Sequence, residues 1–80
     1  MSSLTTPKAT PLAESVQCDE FMLNVTLADG RKISVPLEWF PRLTKATPKQ
    51  RENWRLIGKG IGIHWPDIDE DISIESILAS

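Results

Sequence analysis

The feature that most constrains this chain is a run of apolar residues at every second position. From Phe21 to Leu27 the apolar side chains alternate with others, which is the period of a β-strand with one buried face. The dipeptide Asp29-Gly30 follows at once and favours a two-residue hairpin turn of type I′. The chain is therefore predicted to fold back into an antiparallel hairpin whose apolar face another element must cover.

One further strand is predicted on each side of this run. Val16 and Cys18 alternate with polar neighbours before it, and the same alternation continues through Ile33 and Val35 after it. Pro36 ends the last of these strands, because proline has no N–H for the ladder. Residues 14–36 thus predict a three-stranded antiparallel meander.

Helical signals follow the meander. Trp39, Phe40 and Leu43 have helical spacing, which predicts a short helix over about residues 37–45. Thr47 is a good N-cap, the proline after it suits the first helical position, and Gln50 can close a capping box. A second helix is therefore predicted over about residues 48–56.

The remaining residues predict one more strand and one more helix. Gly58 is interpreted as the C-cap of the second helix, and the alternation from Ile61 to Trp65 as a strand. Ser73 can cap a short C-terminal helix. The predicted order is β-β-β-α-α-β-α, an α+β domain in which two or three short helices pack on a small antiparallel sheet, the meander plus one later strand.

Length and composition limit the class of protein. The chain has 80 residues, 40% of them apolar and 25% charged, which is an ordinary composition for one globular domain. Residues 1–12 hold few large apolar groups, so we expect a flexible tail followed by a single domain over residues 13–80. The lone Cys18 excludes an intramolecular disulfide, and neither a signal peptide nor a transmembrane segment is visible. A cytoplasmic location is expected.

The sequence offers little catalytic or metal-binding chemistry. The glycines of the run 58–62 enter a strand instead of opening a helix, so they do not match a phosphate-binding loop. The acidic run after Asp67 lacks the glycine and the glutamate that a calcium loop requires at its sixth and twelfth positions. Cys18 and His64 could form a nucleophilic pair only if the fold brought them together. We predict no catalytic residue, no cofactor and no metal, and hence a protein that is not an enzyme.

Charge is distributed unevenly along the chain, although the formal net charge is only −2. Residues 42–59 carry six bases and one acid, a formal charge of +5, whereas residues 67–75 carry five acids and no base. One interpretation is a basic helical face for an acidic partner or a nucleic-acid backbone. The other is a solvated face that the acidic loop partly neutralises by folding against it.

Three tryptophans from three separate segments add a second candidate for recognition. Trp39, Trp54 and Trp65 are expected to share an aromatic core, unless Trp39 or Trp54 lies on an exposed contact surface, where tryptophan is enriched. The candidate partner-binding residues are Trp39, Arg42, Lys45, Arg51, Trp54 and Arg55.

Three segments together resemble a known family. They are the run from Val35 to Leu43, the run from Ala46 to Trp54, and the run Trp65-Pro66-Asp67-Ile68-Asp69-Glu70-Asp71-Ile72-Ser73 that ends the stretch beginning at Gly60. With the Asp29-Gly30 turn, they resemble the small prokaryotic proteins of domain-of-unknown-function family 2442 over about residues 13–79. The resemblance implies an antitoxin-like partner for the product of a neighbouring gene. Some longer relatives carry a helix-turn-helix domain, which these 80 residues do not contain.

These observations favour a protein-binding module. Its partner would be a neighbouring gene product or a second copy of the chain in a homodimer, and charged and aromatic side chains would supply the contacts. A nucleic-acid-binding accessory that uses the basic segment 42–59 is the alternative, and a small enzyme is the third and least favoured.

Overall fold

The structure is a computed structural model that describes residues 11–78, and it confirms the α+β class and the predicted order of elements. Within these residues it contains two three-stranded antiparallel sheets and several short helices. The elements are β1 (Ala13–Cys18), β2 (Met22–Leu27), β3 (Lys32–Pro36), a 3-10 helix (Leu37–Trp39), α1 (Pro41–Thr44), α2 (Pro48–Glu52), β4 (Arg55–Ile57), β5 (Gly62–Trp65), β6 (Glu70–Ser73) and α3 (Ile74–Leu78).

The first sheet is the predicted meander, in the order β1-β2-β3. Val25 on β2 lies opposite Val16 on β1 and Ile33 on β3, so the three apolar side chains share one face. Leu23 lies between Cys18 and Val35 in the same way. The predicted strands are therefore correct, and their pairing places the alternating apolar residues on one face.

The turn between β2 and β3 differs from the predicted type I′. Gly30 has a φ of 96°, but Asp29 is not among the residues with positive φ, as type I′ would require. The Gly30 N–H donates to the carbonyl of Leu27 at 3.0 Å, and the Leu27 N–H donates to the carbonyl of Arg31 at 2.8 Å. This is a three-residue loop with a glycine bulge, and the Asp29 carboxylate accepts the Arg31 N–H at 3.0 Å.

The first predicted helix is divided at Phe40 and Pro41. Phe40 has φ −125° and ψ 88°, because the ring of the following proline excludes the helical region at that position. The chain therefore forms a 3-10 helix before Phe40 and α1 after it. The Thr44 hydroxyl donates to the carbonyl of Leu37 at 2.7 Å and holds the two short helices together.

The second predicted helix begins where expected and ends early. The capping box is present: Gln50 N–H donates to the Thr47 hydroxyl at 3.1 Å, and Thr47 N–H donates to the Gln50 amide oxygen at 2.9 Å. The helix nevertheless ends at Glu52 instead of residue 56, and Arg55–Ile57 pairs with β5 as β4. Strand pairing thus overrides the local helical signal in these residues.

The predicted later strand, β5, is the centre of a second sheet with the order β4-β5-β6. The two added strands have three and four residues, and β6 contains a single apolar residue, Ile72, so neither shows alternation. Gly58 is not a helix C-cap. Gly58 and Lys59 have φ of 55° and 65°, and Gly60 N–H donates to the carbonyl of Ile57, which is the pattern of a type I′ turn between β4 and β5.

Both sheets contribute to one hydrophobic core. Its fully buried side chains include Leu23, Leu27, Leu43, Ile63, Trp65 and Ile74. The predicted cap of α3 is also present, since the Ser76 N–H donates to the Ser73 hydroxyl at 3.1 Å. The Trp65 indole N–H donates to the carbonyl of Arg51 at 3.1 Å. Helices in the described range are too short to cross a membrane. Residues 1–10 of the predicted tail lie outside the described range.

The two sheets are joined at Gly60. Its carbonyl accepts the N–H of Ala13 at 2.8 Å, its φ is 116°, and a Cβ at this position would lie 2.5 Å from the Ala13 carbonyl oxygen. A side chain larger than hydrogen is therefore excluded by both conformation and space.

We predict that Gly60→Ala lowers the free energy of unfolding by about 3 kcal/mol or more, because backbone strain and a backbone clash add. Gly30→Ala is the matched control: Gly30 also has positive φ, but nothing lies within 4 Å of its added Cβ. That variant should lose only about 1 kcal/mol. Urea denaturation measures both values, and an equal loss in the two variants would show that the contact with Ala13 contributes nothing.

Candidate functional site

Two of the six candidate partner-binding residues have structural roles. The Arg51 side chain donates to the carbonyls of Leu43 and Thr44, each at 2.9 Å, and so adds hydrogen bonds to carbonyls at the end of α1. The Arg42 guanidinium donates to the backbone carbonyl of Asp69. Both arginines therefore connect segments of this chain, and some of their guanidinium N–H groups already donate to backbone carbonyls.

The other four candidates differ in exposure. Trp39 is 50% exposed at the end of the 3-10 helix, whereas Trp54 is half-buried and packs against the core. Lys45 and Arg55 are exposed and make no side-chain hydrogen bond or ion pair within the described residues. Arg55 lies on β4, opposite His64, so the basic residues of segment 42–59 do not share one helical face.

The acidic loop does fold against the basic segment. Asn53 donates from its amide to the Asp67 carboxylate at 3.1 Å, and Arg42 bonds to the backbone of Asp69. On the outer face of the second sheet Asp71, His64 and Arg55 form one cross-strand row, in which the His64 ring nitrogen Nδ1 is hydrogen-bonded to Asp71. The acidic loop therefore folds against the basic segment, but within residues 11–78 no ion pair joins a base of residues 42–59 to an acid of the loop.

Cys18 and His64 lie in different sheets, on β1 and β5, and no hydrogen bond joins them. Burial raises the pKa of the Cys18 thiol, although the nearby charge of Arg51 opposes this shift, so the thiol is the dominant form at neutral pH. Across residues 11–78, no three His, Cys, Asp or Glu side chains are grouped closely enough to hold a metal ion.

The surface best suited to recognition is an apolar groove that sequence reasoning did not find. It lies between the β1–β2 turn and the 3-10 helix, has a volume of about 370 Å³, and we call it the Phe21 groove. Phe21 is 74% exposed, the largest exposure of any large apolar side chain in the described structure. Trp39 is the last residue of the 3-10 helix and directly follows the lining residue Glu38 in the chain. The lining residues are Glu20, Phe21, Met22, Pro36, Leu37, Glu38 and Thr44.

Hydrogen bonds fix both walls of the Phe21 groove. The Leu37 N–H donates to the carbonyl of Phe21 at 2.8 Å, and so joins the 3-10 helix to the turn. The Asp19 carboxylate accepts the N–H groups of Phe21 and Met22 at 2.8 and 2.7 Å. These bonds, that of Phe21 first, lower the pKa of Asp19. The exposed phenyl ring is thus carried on a turn with a defined backbone.

The groove has an acidic rim. Glu20 and Glu38 line it and are exposed, and within residues 11–78 neither carboxylate has an ion pair or a hydrogen bond. The lining contains no lysine, arginine or histidine. The surface therefore combines an apolar floor with uncompensated negative charge, opposite in sign to the segment that the sequence singled out.

Phe21 was missed because it continues the alternation of β2. Its parity with Leu23 and Val25 places it on the buried face, but the strand begins only at Met22. The signal that could have identified it is Asp19, two residues earlier, since an aspartate at that spacing accepts backbone N–H bonds and starts a turn. Trp39 is half exposed, so the expectation that it shares an aromatic core with Trp54 and Trp65 is wrong for this residue, and the alternative that placed it on the surface holds.

Fold and site together define a small α+β domain with an apolar groove on its surface and without an assembled catalytic centre in the described residues. A family model, "Protein of unknown function (DUF2442)", matches residues 13–80, and the chain belongs to this family. A protein of unknown function from Rhodospirillum rubrum has a similar crystal structure, with 26% sequence identity and a TM-score of 0.77 over 89% of this chain and 88% of that one. A search of the curated proteins finds no match.

We predict that the Asp19 carboxyl titrates below the range of an ordinary aspartate. Because its pKa is lowered in the folded state, the bonds to Phe21 and Met22 are present above the ordinary range and are lost as the pH falls through the lowered pKa. An NMR titration of the Phe21 and Met22 amides measures this midpoint. Asp19→Asn, which keeps an acceptor oxygen and cannot ionise, should flatten the titration; a midpoint at the ordinary value would contradict the assignment.

Proposed function

We propose that this chain is a protein-binding module and that the Phe21 groove is its docking surface. The observation that supports this most is the exposure of Phe21 in the lining of one apolar groove, with the exposed Trp39 next in the chain to the lining residue Glu38, in a domain that buries most of its other large apolar side chains. Aromatic side chains that remain exposed on a rigid backbone are typical anchors of protein interfaces. The proposal places the module in the cytoplasm, in keeping with its single cysteine.

The proposal shifts the contact surface away from the basic residues. Arg42 and Arg51 already bond to backbone carbonyls, and Trp54 is half-buried. Trp39 remains from the candidates predicted from the sequence, and Phe21 joins it. The partner we propose is the product of a neighbouring gene, in an antitoxin-like pairing, because the family resemblance implies one.

The test is co-expression of the full chain with the product of the adjacent gene. Phe21→Ser should reduce the amount of partner that copurifies at least tenfold, because the loss of an aromatic anchor costs about 2 kcal/mol or more. Leu78→Ser is the matched control, since Leu78 is also exposed but lies on α3 and not in the groove. An equal reduction in both variants, or copurification unaffected by Phe21→Ser, would contradict the proposal.

A homodimer is a second candidate, and one edge of the structure favours it. β4 is an outer strand of the second sheet, and its residues Leu56 and Ile57 are each about two-fifths exposed. Ile61, in the turn that follows β4, is more than half exposed. Two copies of such an edge can pair antiparallel about a two-fold axis and extend the sheet. Light scattering distinguishes the two states by mass, and a monomeric mass at high concentration would exclude the dimer.

Nucleic-acid binding is the less favoured alternative. Lys45, Lys49, Arg55 and Lys59 are exposed and without partners among residues 11–78, but they are distributed over one helix, one strand and two turns. Affinity for nucleic acid through these residues would fall steeply with salt. An absence of binding at low salt would remove this alternative.

A further inference from the structure

The charge around the Phe21 groove specifies its partner further than the apolar floor does. Glu20 stands on the turn that forms one wall and Glu38 on the 3-10 helix that forms the other, and both are exposed. Carboxylates on opposite walls, with no base in the lining, give the entrance a single sign of charge. A ligand that enters between them gains from positive charge on both of its flanks.

The floor sets the second requirement. Phe21, Met22, Pro36 and Leu37 present apolar surface, and the hydrogen-bonding groups of the lining are the backbone, the two carboxylates and the Thr44 hydroxyl, which already donates to the carbonyl of Leu37. A volume of about 370 Å³ is suited to one or two side chains and too small for a folded element. The ligand therefore contributes an apolar anchor from an extended segment or from one turn of a helix.

We infer that the Phe21 groove binds a basic polypeptide segment in which a large apolar side chain is flanked by lysine or arginine. The inference rests on the proposed function and names the chemistry of the partner at the same site. The acidic rim disfavours nucleic acids and anionic membranes, because it would repel their phosphates. It selects among protein partners as well, since an acidic segment with the same anchor meets like charge.

The experiment uses the full chain and three synthetic peptides of equal length. The first has a leucine flanked by arginines, the second the same leucine flanked by glutamates, and the third an alanine flanked by arginines. In NMR titrations, only the first should shift the amides of Phe21, Met22 and Leu37 at low salt. Binding of the second as tightly as the first, or binding of none, would overturn the inference.

Charge variants separate this inference from the proposed function. The double variant Glu20→Gln, Glu38→Gln should weaken binding of the first peptide about tenfold at low salt, roughly threefold for each carboxylate, and the difference should vanish in high salt. Glu14→Gln, Glu75→Gln is the control with the same net charge, because neither residue lines the groove. A loss equal in both double variants would overturn the inference.

The two failures are distinguishable. Phe21→Ser should abolish peptide binding and capture of the neighbouring gene product together. If Phe21→Ser abolishes capture while the charge variants and flanking charges have no effect, the groove is a docking site for a partner of other chemistry, and only the inference is wrong. If capture is independent of Phe21, the proposed function fails as well.

Discussion

The hydrogen bond from the Trp65 indole to the Arg51 carbonyl joins the second sheet to α2, and through α2 to the helices beside the Phe21 groove. Trp65 is fully buried, so its N–H would be unpaired without this acceptor. The Arg51 side chain in turn donates to the end of α1, and Thr44 of α1 donates to the 3-10 helix. The wall of the Phe21 groove is therefore positioned by a chain of contacts that begins in the second sheet.

This arrangement explains how so small a domain can leave aromatic side chains exposed. A chain of this length buries a modest fraction of its surface, so exposed apolar residues are costly unless the core is complete without them. Here both sheets, the 3-10 helix, α1 and α3 contribute buried side chains to one core that includes Trp65, whereas α2 contributes none. Phe21 and Trp39 lie outside it. The Phe21 N–H donates to the Asp19 carboxylate, and the Leu37 N–H donates to the Phe21 carbonyl, so the turn that carries Phe21 is held against the 3-10 helix.

The sequence predicted the elements whose signals are local and periodic. The alternation around Val25 predicted the strands of the first sheet, and Thr47 and Gln50 predicted the start of α2. It missed β4 and β6, because strands with one or two apolar residues exist only through pairing with β5. It misplaced Phe21 for a related reason: parity gives the face of a residue within a strand but not the residue at which the strand begins.

The central claim is that the core and the docking surface are separate, and the free energy of unfolding of two variants tests it most directly. Trp65→Phe should lose about 2 kcal/mol, since it leaves a cavity and an unpaired Arg51 carbonyl. Phe21→Ser should change stability by less than about 0.5 kcal/mol, as expected for an exposed side chain. A loss for Phe21→Ser as large as that for Trp65→Phe would show that Phe21 serves the fold, and would contradict the account.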